Sequence, residues 1–299
     1  MLIQLEKSDR YSRPRLPEWL RKPLRNTEAD HELKKLLRAH GLHTVCEEAR
    51  CPNRNECFAR GAATFMILGD VCSRSCGFCS VKTGRGTPLE MLADEPDQVA
   101  EAAAELNLRY VVITSVNRDE LGDGGASHFA KTIRAVRGRL PQSRIEVLTP
   151  DFKGDLAALH TVLDAAPDTF NHNVETVPRL YRRVRPQAEY GQSLDILREA
   201  RTYSSKVLTK SGLMVGLGER RDEVMSVLHD LRESAVDVVT IGQYLQPTRS
   251  HLPVEEYVDP KTFEEYKEHG ERVGFRAVFS GPLVRSSFMA EMVHDGIAD

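Results

Sequence analysis

Thr64-Phe-Met-Ile-Leu-Gly-Asp-Val-Cys72-Ser-Arg-Ser-Cys76-Gly-Phe-Cys79 is the stretch on which the reading of this chain turns. Its first half, residues 64–69, is a short apolar run closed by glycine, the pattern of a strand buried on both faces. Its second half, C-x3-C-x2-C, begins three residues after that strand. Five further runs of strand character follow at 109–116, 144–149, 169–175, 206–215 and 237–245. Helical patterns lie between them: Val99, Ala103 and Leu106 share one face, as do Val224, Val227, Leu228 and Leu231. Strands alternating with helices imply right-handed βα units and a parallel sheet. An even βα repeat suits a barrel or partial barrel better than a doubly wound sheet, and periodicity leaves both open. The expected fold is α/β, a partial (β/α)6 barrel of parallel strands with N- and C-terminal extensions. Its expected divisions are residues 1–62, 63–281 and 282–299. In either architecture the cysteine loop sits at the strands' C-terminal rim, where active residues gather.

All six cysteines of the 299 residues fall within 46–79, in two triplets. Cys72, Cys76 and Cys79 form the second; Cys46, Cys51 and Cys57 form the first, C-x4-C-x5-C. Each triplet offers three thiolates and leaves a fourth position for something else. The first ten residues carry no apolar h-region, so a cytoplasmic setting with reduced thiols is expected, and ligands are favoured over disulfides. Structural zinc wants four ligands, usually in paired C-x2-C knuckles, and only Cys76 and Cys79 have that spacing. The spacing favours iron–sulfur, with zinc as the alternative. Three thiolates can hold three irons of a [4Fe–4S] cube and leave the fourth open to a small chelating molecule.

Composition excludes other classes. With 40% hydrophobic and 28% charged residues, the chain is of ordinary globular make-up. A net charge of −3 gives no field for collecting phosphates, so nucleic acid is not an expected partner. No apolar run approaches the roughly 18 residues of a membrane span. One basic stretch, Arg10, Arg13, Arg15, Arg21, Lys22 and Arg25 against Glu18, is broken by Pro14, Pro17 and Pro23. It reads as an extended surface arm, or as a docking segment for an acidic protein. Thr27, Asp30, Leu33, Leu36 and Leu37, stopped by Gly41, predict a helix after the arm.

The C-x3-C-x2-C loop, with Phe78 before its last cysteine, resembles the signature of the radical S-adenosylmethionine enzymes. Within that superfamily, from about residue 40 to 290, the chain resembles the lipoyl synthase family. The resemblance rests on the first triplet and on Tyr110-Val-Val-Ile-Thr-Ser-Val-Asn-Arg-Asp119 continuing to Gly122-Asp-Gly-Gly-Ala-Ser-His-Phe129. It rests further on Phe170-Asn-His-Asn-Val-Glu-Thr-Val177, Thr209-Lys-Ser-Gly-Leu-Met-Val-Gly-Leu-Gly-Glu219, Gly242-Gln-Tyr-Leu245 and Ser280-Gly-Pro-Leu-Val-Arg-Ser-Ser287.

The resemblance implies insertion of two sulfur atoms into an octanoyl chain carried on a lysine. Such C–H bonds are too weakly acidic for a side-chain base, so a radical is needed. It implies two [4Fe–4S] clusters and S-adenosyl-L-methionine as co-substrate. Cys72, Cys76 and Cys79 would hold the cluster that delivers electrons to S-adenosylmethionine. Cys46, Cys51 and Cys57 would hold a second, consumed as sulfur donor. A serine of Arg285-Ser286-Ser287 would complete it, Ser287 being assigned with Ser286 as the fallback, since spacing does not decide which hydroxyl points inward, and with Arg285 beside it in the same catalytic motif. A hard alkoxide should exchange more readily than a thiolate. Standing alone, Arg-Ser-Ser is an ordinary loop. Phe288 stands where the family commonly has tyrosine. Implied partners are octanoylated lipoyl-carrier domains or proteins and an electron donor such as ferredoxin or flavodoxin, with no nucleic acid and no membrane. The rival readings are another sulfur-inserting enzyme of the superfamily and a non-catalytic zinc- or cluster-binding module.

Four more residues face the expected rim. Ser115, Asn173 and Glu175 would contact S-adenosylmethionine, and Arg185 would pair its carboxylate. Without the resemblance Glu175 reads as a strand-end salt bridge, and Arg185, beside Arg182 and Arg183, as a solvated face. Gly122-Asp-Gly-Gly125 lacks the Lys-Ser/Thr of a phosphate loop and reads as a turn. His128 and His172 read as core or loop histidines.

Overall fold

The computed structural model describes residues 16–21, 28–48, 51, 53 and 64–287. Thr27, most of the basic arm, Cys57 and Phe288 lie outside them, as do the side chains of Asp30, Leu33 and Cys46. The expected early helix runs over Glu28–Ala39, buries Leu37, and ends at Gly41, whose φ of 64° suits a residue without Cβ.

The strands are β1 (His43–Thr44), β2 (Thr64–Ile67), β3 (Val71–Cys72), β4 (Lys82–Thr83), β5 (Tyr110–Ser115), β6 (Arg144–Leu148), β7 (Thr169–Asn171), β8 (Leu208–Val215), β9 (Val238–Gln243) and β10 (Ala277–Gly281). One sheet has the order β1-β2-β5-β6-β7-β8-β9-β10, and β3 pairs with β4 in a small second sheet. From β2 onward every pairing in the large sheet is parallel; β1 joins β2 antiparallel. Six βα units, each returning through a helix, make the expected partial (β/α)6 barrel, open along its edges. Sequence reading missed β10, which follows the sixth helix and continues the sheet beyond β9.

Continuous apolar runs make these strands because both faces are covered. All four residues of β2 and all six of β9 are buried. The helix Arg221–Glu233 turns Val224, Val227, Leu228 and Leu231 onto the sheet, the face expected from their spacing. Side chains of that size contribute about 1.5–3 kcal/mol each on full burial. Helix starts are fixed locally: Asp155 accepts from the amides of Ala157 and Ala158, and Asp259 from that of Lys261.

A buried polar cluster links four of the strands. Lys210 donates to both oxygens of Glu146, at 3.1 and 3.0 Å, and Asn171 and Tyr110 donate to the same carboxylate. Register then sets the rim: Ile67 pairs with Ser115, Thr114 with Leu148, and Leu148 with Asn171. The fourth expected strand, 169–175, is regular only to Asn171. Beyond it Glu175 adopts φ 64° and makes a single bridge to Leu213. Among the described residues no helix is long and apolar enough to cross a membrane.

Candidate functional site

Past β2 the chain must turn sharply to deliver the cysteine loop to the rim. Leu68 and Gly69 both take left-handed backbone, φ 67° and 84°, and the buried Glu95 carboxylate accepts the Leu68 amide at 2.8 Å. The loop is then held by backbone partners from distant segments. Ser73 N donates to Asn117 O at 2.9 Å, Gly77 N to Val184 O at 2.9 Å, and Leu252 N to Gly77 O at 3.0 Å. His251 donates from Nε2 to Cys79 O at 2.9 Å, since a carbonyl can only accept, and Thr248 Oγ1 sits 2.7 Å from its Nδ1. Gly77 is required here: a Cβ would lie 2.9 Å from Leu252 and 3.2 Å from Arg183 O.

Cys72, Cys76 and Cys79 are free thiols bordering a cavity of about 470 Å³. Cys72 Sγ accepts amides of Arg74 at 3.4 Å and Asn117 at 3.3 Å. Burial pushes the Cys76 thiol up to about 11 and Cys79 up to about 12, so these two thiols are protonated in the bare site and would release protons on taking metal. Among the described residues no three His, Cys, Asp or Glu side chains converge on one ion-sized point. Three thiols bordering one cavity could hold three irons of a multi-iron cube.

On the same cavity, Ser115 Oγ and Asn173 Oδ1 are buried without a hydrogen-bond partner among the described residues, the mark of a polar ligand's place. Asn173 Nδ2 donates to Glu175 Oε1 at 3.0 Å. Burial pushes the Glu175 carboxyl up, against the opposing pull of Arg185 and Asn173. Arg185, expected at the rim, is buried rather than solvated. Its Nη1 donates to Asn173 O at 2.9 Å and Val174 O at 3.3 Å, so it braces the turn that carries Asn173 and Glu175. All four of these residues border the cavity.

The same cavity is bordered by Cys51, Arg285, Ser286 and Ser287. Asn53 Nδ2 donates to Leu283 O at 2.7 Å, and Ser80 Oγ to Glu48 O, joining the first cysteine segment to the C-terminal run and to the cysteine loop. Cys46 lies in the short helix Val45–Glu48, with its side chain outside the described residues; Cys57 lies wholly outside them. Burial pushes the Arg285 guanidinium down, and Cys51 opposes this.

Sequence reasoning missed Arg74, Asn117, His251 and Gln187, whose Oε1 accepts the Ser75 amide at 2.9 Å. Each acts on the loop's shape, and only Arg74, inside C-x3-C, stood beside a signal. His172 is buried between Thr149 O, at 2.9 Å from Nδ1, and Ser193 Oγ, at 3.1 Å from Nε2; His128 bonds Glu95 at 2.7 Å. Gly122–Gly125 is a turn in which Asp123 accepts the Gly125 and Ser127 amides.

Residues 66–231 match the radical SAM superfamily, and residues 3–51 match the N-terminal domain of lipoyl synthase of that family. The chain is 58% identical over 274 residues to the lipoyl synthase of Rubrobacter xylanophilus, covering 92% of this chain and 85% of that one. It is 53% identical over 279 residues to the lipoyl synthase of Caldicellulosiruptor bescii, covering 93% and 95%. Among solved structures it is similar to methylornithine synthase, with a TM-score of 0.54, 17% identity, and coverage of 83% of this chain and 74% of that one. It is also similar to the [FeFe]-hydrogenase maturase HydG, with a TM-score of 0.55, 13% identity, and coverage of 85% and 56%. These two structural likenesses concern the fold.

Proposed function

This chain belongs to the lipoyl synthase family of radical SAM enzymes, and from that premise we propose how its own residues divide the work of sulfur insertion. The family implies a [4Fe–4S] cluster and S-adenosylmethionine, which together supply, when bound, the electron and the radical that break an unactivated C–H bond.

In our reading Cys72, Cys76 and Cys79 hold three irons of that cluster and leave the fourth to the amine and carboxylate of the co-substrate. Ser115 and Asn173 offer their orphaned oxygens to its polar groups, Glu175 accepts its hydroxyls, and Arg185 holds the turn beneath them while balancing its carboxylate. Cys46, Cys51 and Cys57, with Ser287 as the fourth ligand and Arg285 beside it, hold a second cluster that donates sulfur. Met66, Leu148 and Leu213, also on the cavity, give an alkyl chain an apolar bed and exclude water from a radical. In this division residues 1–62 and 282–299 bring the second cluster to the rim of 63–281.

What supports the reading is one observation: Cys72, Cys76 and Cys79 border the same cavity as Cys51 and Ser287. We take the substrate to be an octanoylated lysine on a lipoyl-carrier domain. Electrons would come from a carrier such as ferredoxin or flavodoxin, in a cytoplasm that keeps thiols reduced.

The test is to rebuild both clusters with isotopically labelled sulfide, about eight irons per chain. After one anaerobic turnover on an octanoyl-lysyl peptide, the product is weighed. Two labelled sulfurs in the product are expected; unlabelled sulfur would sink the donor assignment.

A further inference from the structure

Arg74 lies in the middle of the C-x3-C loop, yet its side chain is 4% exposed and turns under the loop, away from solvent. It makes four hydrogen bonds to two carboxylates. Nε and Nη2 donate to Asp119 at 2.6 and 3.0 Å; Nη1 and Nη2 donate to Asp151 at 2.8 and 2.6 Å. Asp119 follows β5 and Asp151 follows β6, so one guanidinium joins two strand ends to the cysteine loop.

The backbone of Asp119 and the carboxylate of Asp151 are themselves fixed. The Asp119 amide donates to Ser73 Oγ at 3.0 Å, and Lys153 Nζ donates to Asp119 O at 2.8 Å. Asp151 accepts the Lys153 amide at 3.1 Å. It opens a turn in which Phe152, Lys153 and Gly154 are all left-handed, with φ of 46°, 53° and 79°. Phenylalanine and lysine adopt that backbone only at a cost. A buried guanidinium with two carboxylates is also a poor device for stability, since desolvation offsets the attraction. Strain and buried charge together, directly under three cysteines, point to a task other than holding the fold.

We infer that Arg74 is a positioning residue for the reaction: by drawing Asp119 and Asp151 together it sets the cysteine loop's shape before any iron arrives, and the three charges so gathered act on the cluster above them. This rests on the reading that Cys72, Cys76 and Cys79 hold a cluster. A carboxylate beside the cluster disfavours electron uptake and a guanidinium favours it, so each charge moves the cluster's potential in a known direction.

The experiment uses the full chain with Asp119→Asn, Arg74→Lys and Arg74→Gln. In the metal-free protein, hydrogen exchange is followed at the amides of Ser73 and Gly77. Loss of a charge-assisted bond should speed exchange about tenfold or more in Asp119→Asn and Arg74→Lys. In the reconstituted protein the cluster's midpoint potential is titrated by electron paramagnetic resonance. Asp119→Asn should move it positive and Arg74→Gln negative, opposite signs that mere loosening would not give. Should Arg74→Gln fail to fold, Asp119→Asn and Arg74→Lys decide. A folded Asp119→Asn chain with unchanged exchange and unchanged midpoint overturns the inference. Should the unsubstituted chain take up no iron at these cysteines, the cluster reading falls, and the exchange comparison still judges the clamp.

Discussion

Asn173 Nδ2 lies 3.3 Å from Ser286 Oγ and donates to it, tying the turn after β7 to the C-terminal Arg-Ser-Ser run. The Ser286 hydroxyl is therefore occupied on the co-substrate side. Ser287, beside it on the cavity, makes no hydrogen bond among the described residues. On that asymmetry we propose Ser287, rather than Ser286, as the ligand of the second cluster. Ser287→Ala is expected to cleave S-adenosylmethionine while forming no sulfurated product, whereas Ser286→Ala should still insert sulfur. Chromatography of 5′-deoxyadenosine and the mass of an octanoyl-lysyl peptide check both. Equal insertion by the two variants would remove Ser287 from the second cluster.

Glu175 stands at φ 64° with its carboxyl pushed up by burial. A left-handed glutamate costs energy, and its reward lies in what it contacts. As a charged acceptor it is worth more than a neutral amide, so Glu175→Gln should raise KM for S-adenosylmethionine about tenfold or more. The spectrum of the cluster should not change. The sign with pH follows: lowering the pH toward the raised pKa protonates Glu175 and weakens co-substrate binding. That slope should flatten in Glu175→Gln, as measured by equilibrium binding across pH. A variant that binds normally would leave Glu175 a structural residue.

His172 gives the fold a pH dependence of its own. Burial, and then the nearby Arg185, bring its pKa from 6.5 down to about 4. The folded chain thus holds neutral imidazole where the unfolded chain protonates. The stabilisation is complete above pH 6.5 and is lost as pH falls through about 4, amounting to about 3 kcal/mol. Asp151 acts in a separate, lower window. Burial opposes its ionisation, but Arg74 holds it down at about 2 from 3.8. Urea titrations of the metal-free chain at stepped pH should show stability falling between pH 6.5 and 4. His172→Asn should flatten that fall, and it should also shrink the step below pH 4, because His172 helps Arg74 hold Asp151 down; an unaltered slope would refute the assignment.

Much of this was legible in sequence, and what was not has a physical reason. Apolar runs at 64–69 and 237–245 announced strands because parallel strands are buried on both faces. The face of Val224, Val227, Leu228 and Leu231 announced its helix in the same way. Ala277–Gly281 escaped because only Val278 of its five residues is buried, leaving no hydrophobic run to read. Among the site residues, cysteine spacing is local and so survives in one dimension. The Arg74 clamp is not local: its partners are 45 and 77 residues away, and only the register of β5 and β6 brings them beneath the loop. Arg185 shows the same limit. A run of three arginines reads as a solvated surface, and only the turn after Asn173 draws one of them inside.

Gly242 tests whether the C-terminal run works by position. It lies on β9 paired with Gly281, and a Cβ there would stand 2.1 Å from Val284 O and 3.1 Å from Arg285 Nη1. The first of these atoms is backbone and cannot rotate away, so Gly242→Ala must push residues 284–287 off the rim. The cysteine loop is held from elsewhere, by Val184, Leu252 and the carboxylates under Arg74, and should stay where it is. The expected result is separation of the two halves of the reaction. 5′-Deoxyadenosine formation should continue, iron content should fall toward about four per chain, and insertion should be lost. Gly138→Ala, on a helix with open space at its Cβ, is the control that should change neither. If Gly242→Ala retained full iron and full insertion, the close approach of Val284 would carry no function.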